Sequence, residues 1–355
     1  MSLIPATILT GFLGAGKTTV LKRILHEAHG QKIAVIENEF GEENIDSDIL
    51  VSDTTEQIIQ MSNGCICCTI REDLRATLQS LAEKKRKGEL DFDRVVIETT
   101  GLADPGPVAQ TFFMDDEVAE SYLLDAILTL VDAKHAPEQL NDRQEARRQV
   151  GFADQIFISK SELVSAADLD ALQHRLKHMN PRAPQHLVHF GEVAIKDFFD
   201  LRGFNLNAKL DIDPDFLTPD AHDHGHDHHD HAHGHDNHDA HCDHPSHSHH
   251  GHHHHVDDDV KSFVFKSDRA FDPARLEDFL GAIVNIYGPR MLRYKGVLYM
   301  KGSERKVIFQ GVHQLMGSDL GPAWGTDEVK NSKLVFIGID LPKDILLQGL
   351  EQSLV

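Results

Sequence analysis

The chain has 355 residues, 40% of them hydrophobic, so it can bury a sizeable core spread over two or three domains. Its 35 basic and 57 acidic residues give a formal net charge of −22, which argues against nucleic acid or anionic lipid as the main partner. The sequence has no apolar run of roughly 18 residues that could span a bilayer, and its apolar start lacks a basic signal-peptide region. We therefore expect a cytoplasmic protein whose cysteines are reduced thiols.

Apolar and amphipathic segments alternate along the first part of the chain. The predicted strands are residues 4–9, 32–37, 94–98, 126–131 and 155–159. The predicted helices are residues 18–29, 72–87, 139–151 and 166–179. This alternation predicts an α/β fold with a mostly parallel, doubly wound sheet that helices cover on both faces.

A glycine-rich segment joins the first predicted strand to the first predicted helix. Residues 11–18 are Gly-Phe-Leu-Gly-Ala-Gly-Lys-Thr, which fits the phosphate-binding pattern G-x-x-x-x-G-K-[ST]. In this pattern backbone N–H groups surround the phosphates, Lys17 bridges the β- and γ-phosphates, and the Thr18 hydroxyl binds Mg²⁺. A chance glycine turn is the alternative, but the position between a strand and a helix favours a nucleoside triphosphate site. The predicted nucleotide contacts in this loop are Gly11, Gly14, Ala15, Gly16, Lys17, Thr18 and Thr19.

An acidic residue closes the third predicted strand. Glu98 ends the apolar run 95–98, and Gly101 follows three positions later, as in a Walker B-like arrangement. We expect Glu98 to hold Mg²⁺ directly or through water, and the Gly101 amide to contact the γ-phosphate. The alternative is a carboxylate that faces solvent at a strand end. Lys17, Thr18 and Glu98 are the predicted catalytic residues.

Residues 159–162, Ser-Lys-Ser-Glu, follow a late strand, where GTPases carry the guanine-binding sequence Asn-Lys-x-Asp. The carboxylate of that sequence accepts hydrogen bonds from guanine N1 and N2. Glu162 can form the same pair of hydrogen bonds one methylene further out, and Lys160 can cover the base. GTP is favoured on this basis, although Ser159 and Glu162 depart from the usual motif.

Three cysteines occur within four positions, at Cys65, Cys67 and Cys68. Thiolates are soft ligands that suit Zn²⁺, Cu(I) or Co²⁺, and they leave at least one ligand to come from elsewhere. The nearby carboxylates are Glu37, Glu39 and Glu42. Because a nucleotide-sensing switch would occupy the same segment, metal binding and nucleotide state could be coupled. Buried core thiols or a redox pair are the alternatives.

The composition changes abruptly at residues 219–255, which hold 18 of the 26 histidines, interspersed with aspartate and including Cys242. The segment lacks apolar periodicity, so we expect a disordered linker. Its imidazoles could also bind divalent metal and buffer or deliver it, while a plain solvated linker is the alternative.

A second folded region is predicted after the histidines. Strands are expected at residues 261–266, 296–300, 306–311 and 333–340, and helices at 273–285 and 343–354. The resulting domain is α+β and of a size that can fold alone. The predicted division is a P-loop domain at 1–210, a linker at 211–259 and a smaller α+β domain at 260–355.

Together these segments resemble the CobW/YjiA family of GTP-dependent metallochaperones, and within it the YjiA-like branch. The resemblance rests on residues 11–19, 37–41, 64–68 and 98–105 and on the C-terminal domain, where residues 294–296 and 309–312 are similar to that branch. It implies a P-loop GTPase sheet, binding of Mg²⁺ and GTP, and slow GTP hydrolysis. It also implies Zn²⁺ or a similar ion such as Co²⁺ at the C-x-C-C motif. Carried over by position, the metal ligands are Cys65, Cys67 and Cys68 with Glu37 and Glu42.

The leading hypothesis is a GTPase that transfers metal to a client metalloprotein and that pairs into a homodimer depending on nucleotide. A metal store that uses the histidine segment, with nucleotide only regulatory, is the alternative. A small-molecule kinase is a third class, but the cysteine triplet has no role in it. No general base can be named.

Overall fold

The computed structural model describes residues 3–27, 30–37, 57–60, 69–201, 203, 258–326 and 328–355. In this part of the chain two sheets are present, one parallel and one antiparallel. The described residues of both sheets belong to one compact unit, and residues 211–257, which hold the histidine segment, lie outside the description. No helix in the described ranges is both long enough and apolar enough to cross a bilayer.

The first sheet is parallel throughout and has the strand order β3-β2-β4-β1-β5-β6-β7. Its strands are β1 Ile4–Gly11, β2 Ile33–Glu37, β3 Gln57–Gln60, β4 Arg94–Glu98, β5 Tyr122–Asp132, β6 Gln155–Ser159 and β7 Gln185–Val188. All five residues of β2, β4 and β6 are buried, as expected where both faces of a parallel sheet are covered. The predicted doubly wound α/β fold is confirmed.

The helices around this sheet agree with the predictions only in part. They are α1 Lys17–His26, α2 Thr69–Lys87, α3 Pro105–Met114, α4 Asp116–Ser121, α5 Ala136–Asp142, α6 Gln144–Phe152, α7 Ala166–Met179 and α8 Ile195–Phe198. The single helix predicted at 139–151 is two helices, because Arg143 is extended with φ −121° and ψ 115°. α3 was not predicted, although Asp104 accepts a hydrogen bond from the Gly106 amide and Pro105 opens the first turn, both ordinary helix-start features.

The second sheet is antiparallel with the order β11-β10-β9-β12-β8. Its elements are β8 Val260–Ser267, α9 Pro273–Tyr287, β9 Met291–Leu298, β10 Arg305–Val312, β11 Leu315–Ala323, β12 Ser332–Ile339 and α10 Lys343–Gln352. The predicted strand at 296–300 is wrong in its start: β9 begins at Met291, and its charged residues Arg293 and Lys295 conceal it in the sequence. β11 was not predicted, since its sequence Leu-Met-Gly-Ser-Asp-Leu-Gly-Pro-Ala is rich in residues that strands disfavour.

Ion pairs connect the second sheet and the two residues before it to α6, α7 and the loop before β6. Arg293 on β9 donates to Asp154 at 2.5 Å, and both side chains are buried. Asp258, which falls within the predicted linker, accepts from Arg175 on α7 at 2.7 Å, and its neighbour Asp259 pairs with Arg147 on α6. The second sheet is therefore held against α6 and α7 by charges on both sides.

Candidate nucleotide site

The segment between β1 and α1 forms a loop that only glycine can supply at several positions. Gly11, Gly14 and Gly16 have φ of 143°, 73° and 94°, a region that other residues rarely adopt. A Cβ on Gly11 would also lie 2.3 Å from the carbonyl oxygen of Leu130 on β5. Gly16 directly precedes α1, so the loop ends at a helix N-terminus, where backbone N–H groups without an intrahelical partner favour an anion. The arrangement fits phosphate.

Lys17, the first residue of α1, folds back over this loop. Its Nζ donates to the carbonyl oxygens of Gly11 at 3.1 Å and Phe12 at 3.2 Å. Burial lowers the pKa of Lys17, and the carboxylate of Glu98 acts in the opposite direction. The ammonium group is thus held at the mouth of the loop, where an anionic ligand would favour its charged form.

Thr18 and Glu98 form the centre of the predicted magnesium site. The Thr18 hydroxyl donates to Glu98 Oε1 at 2.8 Å. Glu98 ends β4, and its partner in the parallel register is Glu37, which ends β2; both residues are buried. Hydroxyl and carboxylate oxygens are the ligands that Mg²⁺ prefers, so these residues fit the ion.

The segment after β4 lies directly on the phosphate loop. The Thr99 amide donates to the Leu9 carbonyl at 2.9 Å, and a Cβ on Gly101 would lie 2.6 Å from Leu13 Cα. Behind the segment, the Gln149 side chain on α6 donates to the carbonyls of Gly101 at 3.3 Å and Ala103 at 2.9 Å. The backbone position that the sequence predicts to face the γ-phosphate is therefore fixed from both sides.

Ser159, which stands where the usual guanine motif has asparagine, has a structural role. The Ser159 hydroxyl donates to the Ala15 carbonyl at 2.7 Å, which ties the end of β6 to the phosphate loop. Lys160, at φ 58°, donates through Nζ to the Gly14 carbonyl at 2.8 Å and to Asp132 at 2.7 Å. The loop and the predicted base-binding segment are thus one hydrogen-bonded assembly.

Asp132, at the end of β5, is a site residue that the sequence analysis missed. Its carboxylate accepts from Lys160 and also lies 2.9 Å from His135 Nδ1. Burial acts to raise the pKa of Asp132, but the hydrogen bonds from Lys160 and His135 outweigh it and lower the pKa below its usual value. The strand-end position, shared with Glu37 and Glu98, is the signal that could have identified it.

Glu162, the predicted acceptor for guanine, lies in a short 3₁₀ turn, Ser161–Leu163, with an exposed side chain. Its Oε2 is 3.6 Å from Nδ1 of His189, which follows β7. The carboxylate is thus accessible to a ligand at the same edge of the sheet as Lys160.

The predicted zinc ligands are described only in part. Glu37 is buried at the end of β2, whereas Cys65, Cys67, Cys68 and Glu42 lie outside the described residues. Within the described ranges no group of three or more His, Cys, Asp or Glu side chains could hold a metal ion. The metal site therefore stays a prediction.

The parallel sheet, the phosphate loop and the antiparallel second sheet agree with known protein families. Residues 5–186 match the family described as CobW/HypB/UreG, nucleotide-binding domain, and residues 260–354 match the cobalamin synthesis protein cobW C-terminal domain. The chain belongs to the CobW/HypB/UreG family. The recognised resemblance and the nucleotide-binding fold are both confirmed.

The similarity between this CobW-family chain and its relatives extends over nearly its whole length. It is 38% identical over 348 residues to the zinc chaperone YjiA of Escherichia coli strain K12, a match that covers 97% of the chain and 96% of the relative. It is 32% identical over 383 residues to a zinc chaperone CobW of Pseudomonas aeruginosa, covering 99% and 92%. The crystal structure of the Zn(II)-bound YjiA GTPase from E. coli is similar with a TM-score of 0.74 and 34% identity, and covers 99% of each chain.

Proposed function

We propose that this chain is a GTP-hydrolysing metallochaperone that binds zinc, or a similar divalent ion such as Co²⁺, and delivers it to a client protein. The observation that carries the proposal is the register of β2 and β4, which places Glu37 beside Glu98. Glu98 accepts a hydrogen bond from Thr18, which follows the phosphate loop at the start of α1. Glu37 begins the stretch of sequence that continues to Cys65. In this proposal a change at the γ-phosphate acts through Glu98 and Glu37 on the segment of the sequence that leads to the cysteine motif.

In the proposed reaction, water attacks the γ-phosphorus of GTP, the bond to the β-phosphate oxygen breaks, and GDP and phosphate leave. Lys17 and the loop amides bind the phosphates, and the segment with Gly101 contacts the γ-phosphate. Thr18 and Glu98 are the residues that would hold Mg²⁺, and the ion, when bound, would supply charge stabilisation for the leaving oxygen. No residue is identified as a general base that activates the water, so we expect catalysis to come from positioning and the hydrolysis rate to be slow.

The nucleobase of the bound nucleotide is proposed to be guanine. Lys160 is held in place by Gly14 and Asp132, so its side chain can lie against a base without further ordering. Glu162 presents two acceptor oxygens at the rim, which match the N1 and N2 donors of guanine. Adenine offers no such pair of donors, so ADP should bind more weakly than GDP.

The metal cargo is proposed to bind Cys65, Cys67 and Cys68, with Glu37 and Glu42 as carboxylate partners. Support comes from the chemistry of clustered thiolates and from relatives that are named zinc chaperones. Reduced thiols require a reducing compartment, and we place the protein in the cytoplasm for that reason. Nucleotide-dependent pairing of two copies belongs to the same proposal.

The test is a competitive Zn²⁺ titration of the wild type and Cys67→Ala, each without nucleotide, with Mg²⁺-GDP and with a non-hydrolysable Mg²⁺-GTP analogue. We expect one tight site in the wild type whose affinity differs between the nucleotides, and its loss in Cys67→Ala. Cys242→Ala, which removes the one cysteine outside the motif, is the matched control and should keep the tight site. Affinity that ignores the nucleotide would overturn the coupling.

A metal store is the second candidate, because 18 of 26 histidines lie in residues 219–255. A store binds many ions irrespective of nucleotide, whereas a chaperone binds one ion tightly. Deleting residues 220–255 and counting bound Zn²⁺ by equilibrium dialysis separates the two. An unchanged stoichiometry contradicts any metal-binding role for that segment.

A further inference from the structure

The loop that follows β7 is fastened to the nucleotide site on both flanks. On one side His189 Nδ1 lies 3.6 Å from Glu162, the proposed guanine acceptor. On the other side Gly191 packs on Thr19, where an added Cβ would lie 3.1 Å from Thr19 Cγ2, and Glu192 pairs with Arg23 on α1. The residue between these contacts, Phe190, is therefore held beside the space that a nucleoside would enter.

Phe190 combines two costly properties. Its φ is 49°, in the left-handed region that bulky residues rarely adopt, and such strain is retained mainly at functional positions. Its side chain is 82% exposed, the largest value among the exposed large hydrophobic residues of the described chain. The left-handed backbone of Phe190 belongs to a turn that the Glu192 amide closes by donating to the His189 carbonyl at 2.9 Å, but the ring itself is turned into solvent, so a ligand that covers the ring is the natural explanation.

We propose that Phe190 is a base-binding residue whose ring stacks on the nucleobase, while Lys160 covers the base from the phosphate-loop side and Glu162 bonds its edge. The inference rests on the proposed function, since it assigns a specificity-determining residue of the same nucleotide site. Stacking of a base on an aromatic ring is favourable because both surfaces are flat and apolar. Phosphate recognition does not involve the ring.

The experiment compares nucleoside and phosphate binding by titration calorimetry. Mg²⁺-GDP and Mg²⁺-pyrophosphate are titrated into the wild type, Phe190→Ala and Phe190→Tyr. We expect Phe190→Ala to weaken GDP about tenfold, with pyrophosphate unchanged and Phe190→Tyr close to wild type. Phe113→Ala, an exposed phenylalanine near the far end of α3, is the matched control and should leave both affinities unchanged.

Two results would overturn the proposal. Unchanged GDP affinity in Phe190→Ala would mean that the ring meets another partner, and an equal loss for pyrophosphate would mean that the residue only supports the phosphate loop. Failure of the guanine assignment looks different: the wild type would then bind ADP as well as GDP. In that case loss of ADP affinity in Phe190→Ala, with pyrophosphate spared, still supports the stacking role.

A spectroscopic readout is independent of affinity. The chain has a single tryptophan, Trp324 in the second domain, so Phe190→Trp adds one indole at the site. We expect GDP to quench its fluorescence by stacking, and pyrophosphate to leave it unchanged. Equal spectra with both ligands contradict stacking.

Discussion

At the residue scale, the contact between Thr18 and Glu98 joins two of the three predicted catalytic residues. One hydrogen bond of 2.8 Å joins the first turn of α1 to the end of β4. Glu37 stands next to Glu98 in the register of β2 and β4. Because both side chains are buried, a divalent ion that binds either carboxylate would also lower the free-energy cost of keeping negative charge away from water.

The first prediction concerns Glu98→Gln, which keeps the shape and the hydrogen bond to Thr18 but removes the charge. We expect at least a 100-fold loss of GTP hydrolysis at saturating Mg²⁺ and weaker Mg²⁺ dependence, measured by phosphate release. Glu117→Gln, an exposed glutamate on α4, is the control and should keep the wild-type rate. Full activity of Glu98→Gln contradicts its role in holding the ion.

The second prediction concerns Asp132→Asn. Its lowered pKa means that the folded state favours the carboxylate, so its stabilising effect is present above the ordinary pKa of about 3.9 and is lost as pH falls through the lower folded value. We expect a stability deficit of about 1–3 kcal/mol for the variant between pH 5 and 8, which narrows below about pH 4. Urea unfolding measures it. A deficit that already vanishes at pH 6 would contradict the assignment.

At the element scale, β9 carries two positive residues towards the first domain. Arg293 bonds Asp154 at 2.5 Å and the Gly203 carbonyl at 2.9 Å. Burial lowers the pKa of Lys295 to about 7, with Arg182 and Arg293 acting in the same direction and Asp154 opposing them. The Asp154 carboxylate thus lies among several cationic side chains. Of these, Lys295 is the one whose lowered pKa allows it to lose its proton near neutral pH.

The third prediction follows from this cluster. Because the folded pKa of Lys295 lies below its unfolded value of about 10.4, the unfolded chain binds more protons between about pH 7 and 10, and stability rises with pH in that window. Lys295→Met should therefore stabilise the protein at pH 6 by about 1 kcal/mol, since the side chain is still partly exposed, and have little effect at pH 10. Denaturant titrations at both pH values test this. A variant that is less stable at pH 6 contradicts it.

The same elements show what a sequence can and cannot predict. The phosphate loop was placed correctly because its glycines and lysine serve a fixed backbone geometry at a strand–helix junction. The start of β9 was misplaced because Arg293 and Lys295 are charged residues whose partners lie far away in the sequence. Asp132 was missed because one of its partners, Lys160, follows β6 and comes close only when β5 and β6 lie side by side. A motif of consecutive residues can be recognised in the sequence, whereas a contact between residues far apart in the sequence cannot.

At the scale of the whole molecule, α6 contacts both the nucleotide site and the second domain. Gln149 binds the segment that carries Gly101, and Arg148 pairs with Asp104 at 2.6 Å. One turn further, the Phe152 ring meets the His313 ring edge-on at 5.1 Å. His313 also approaches α3 closely, since a Cβ on Gly106 would lie 2.6 Å from its Nε2. The segment after β4 and the turn between β10 and β11 are thus connected through contacts of α6 and α3.

The fourth prediction tests this junction with two glycines. Gly106→Ala should cost about 1–3 kcal/mol, because the added methyl group meets His313 and, at 2.9 Å, Phe152. Gly281→Ala, within α9 and with open space around it, should instead stabilise by about 0.4–1 kcal/mol. Urea unfolding of both variants gives the comparison. Equal effects of the two substitutions contradict a tight junction.

The ion pairs that join β9 and residues 258–259 to α6 and α7 bear on whether the first domain is a separable module. Ending the chain before residue 258 would remove the partners of Arg147, Arg175 and Asp154 in one step and uncover the edge of Phe152. The truncated protein would then present a charged rim around an apolar patch, a surface prone to association. We therefore expect that a polypeptide that stops within the histidine segment aggregates more readily than the full-length chain, because the first region loses the cover that the second provides.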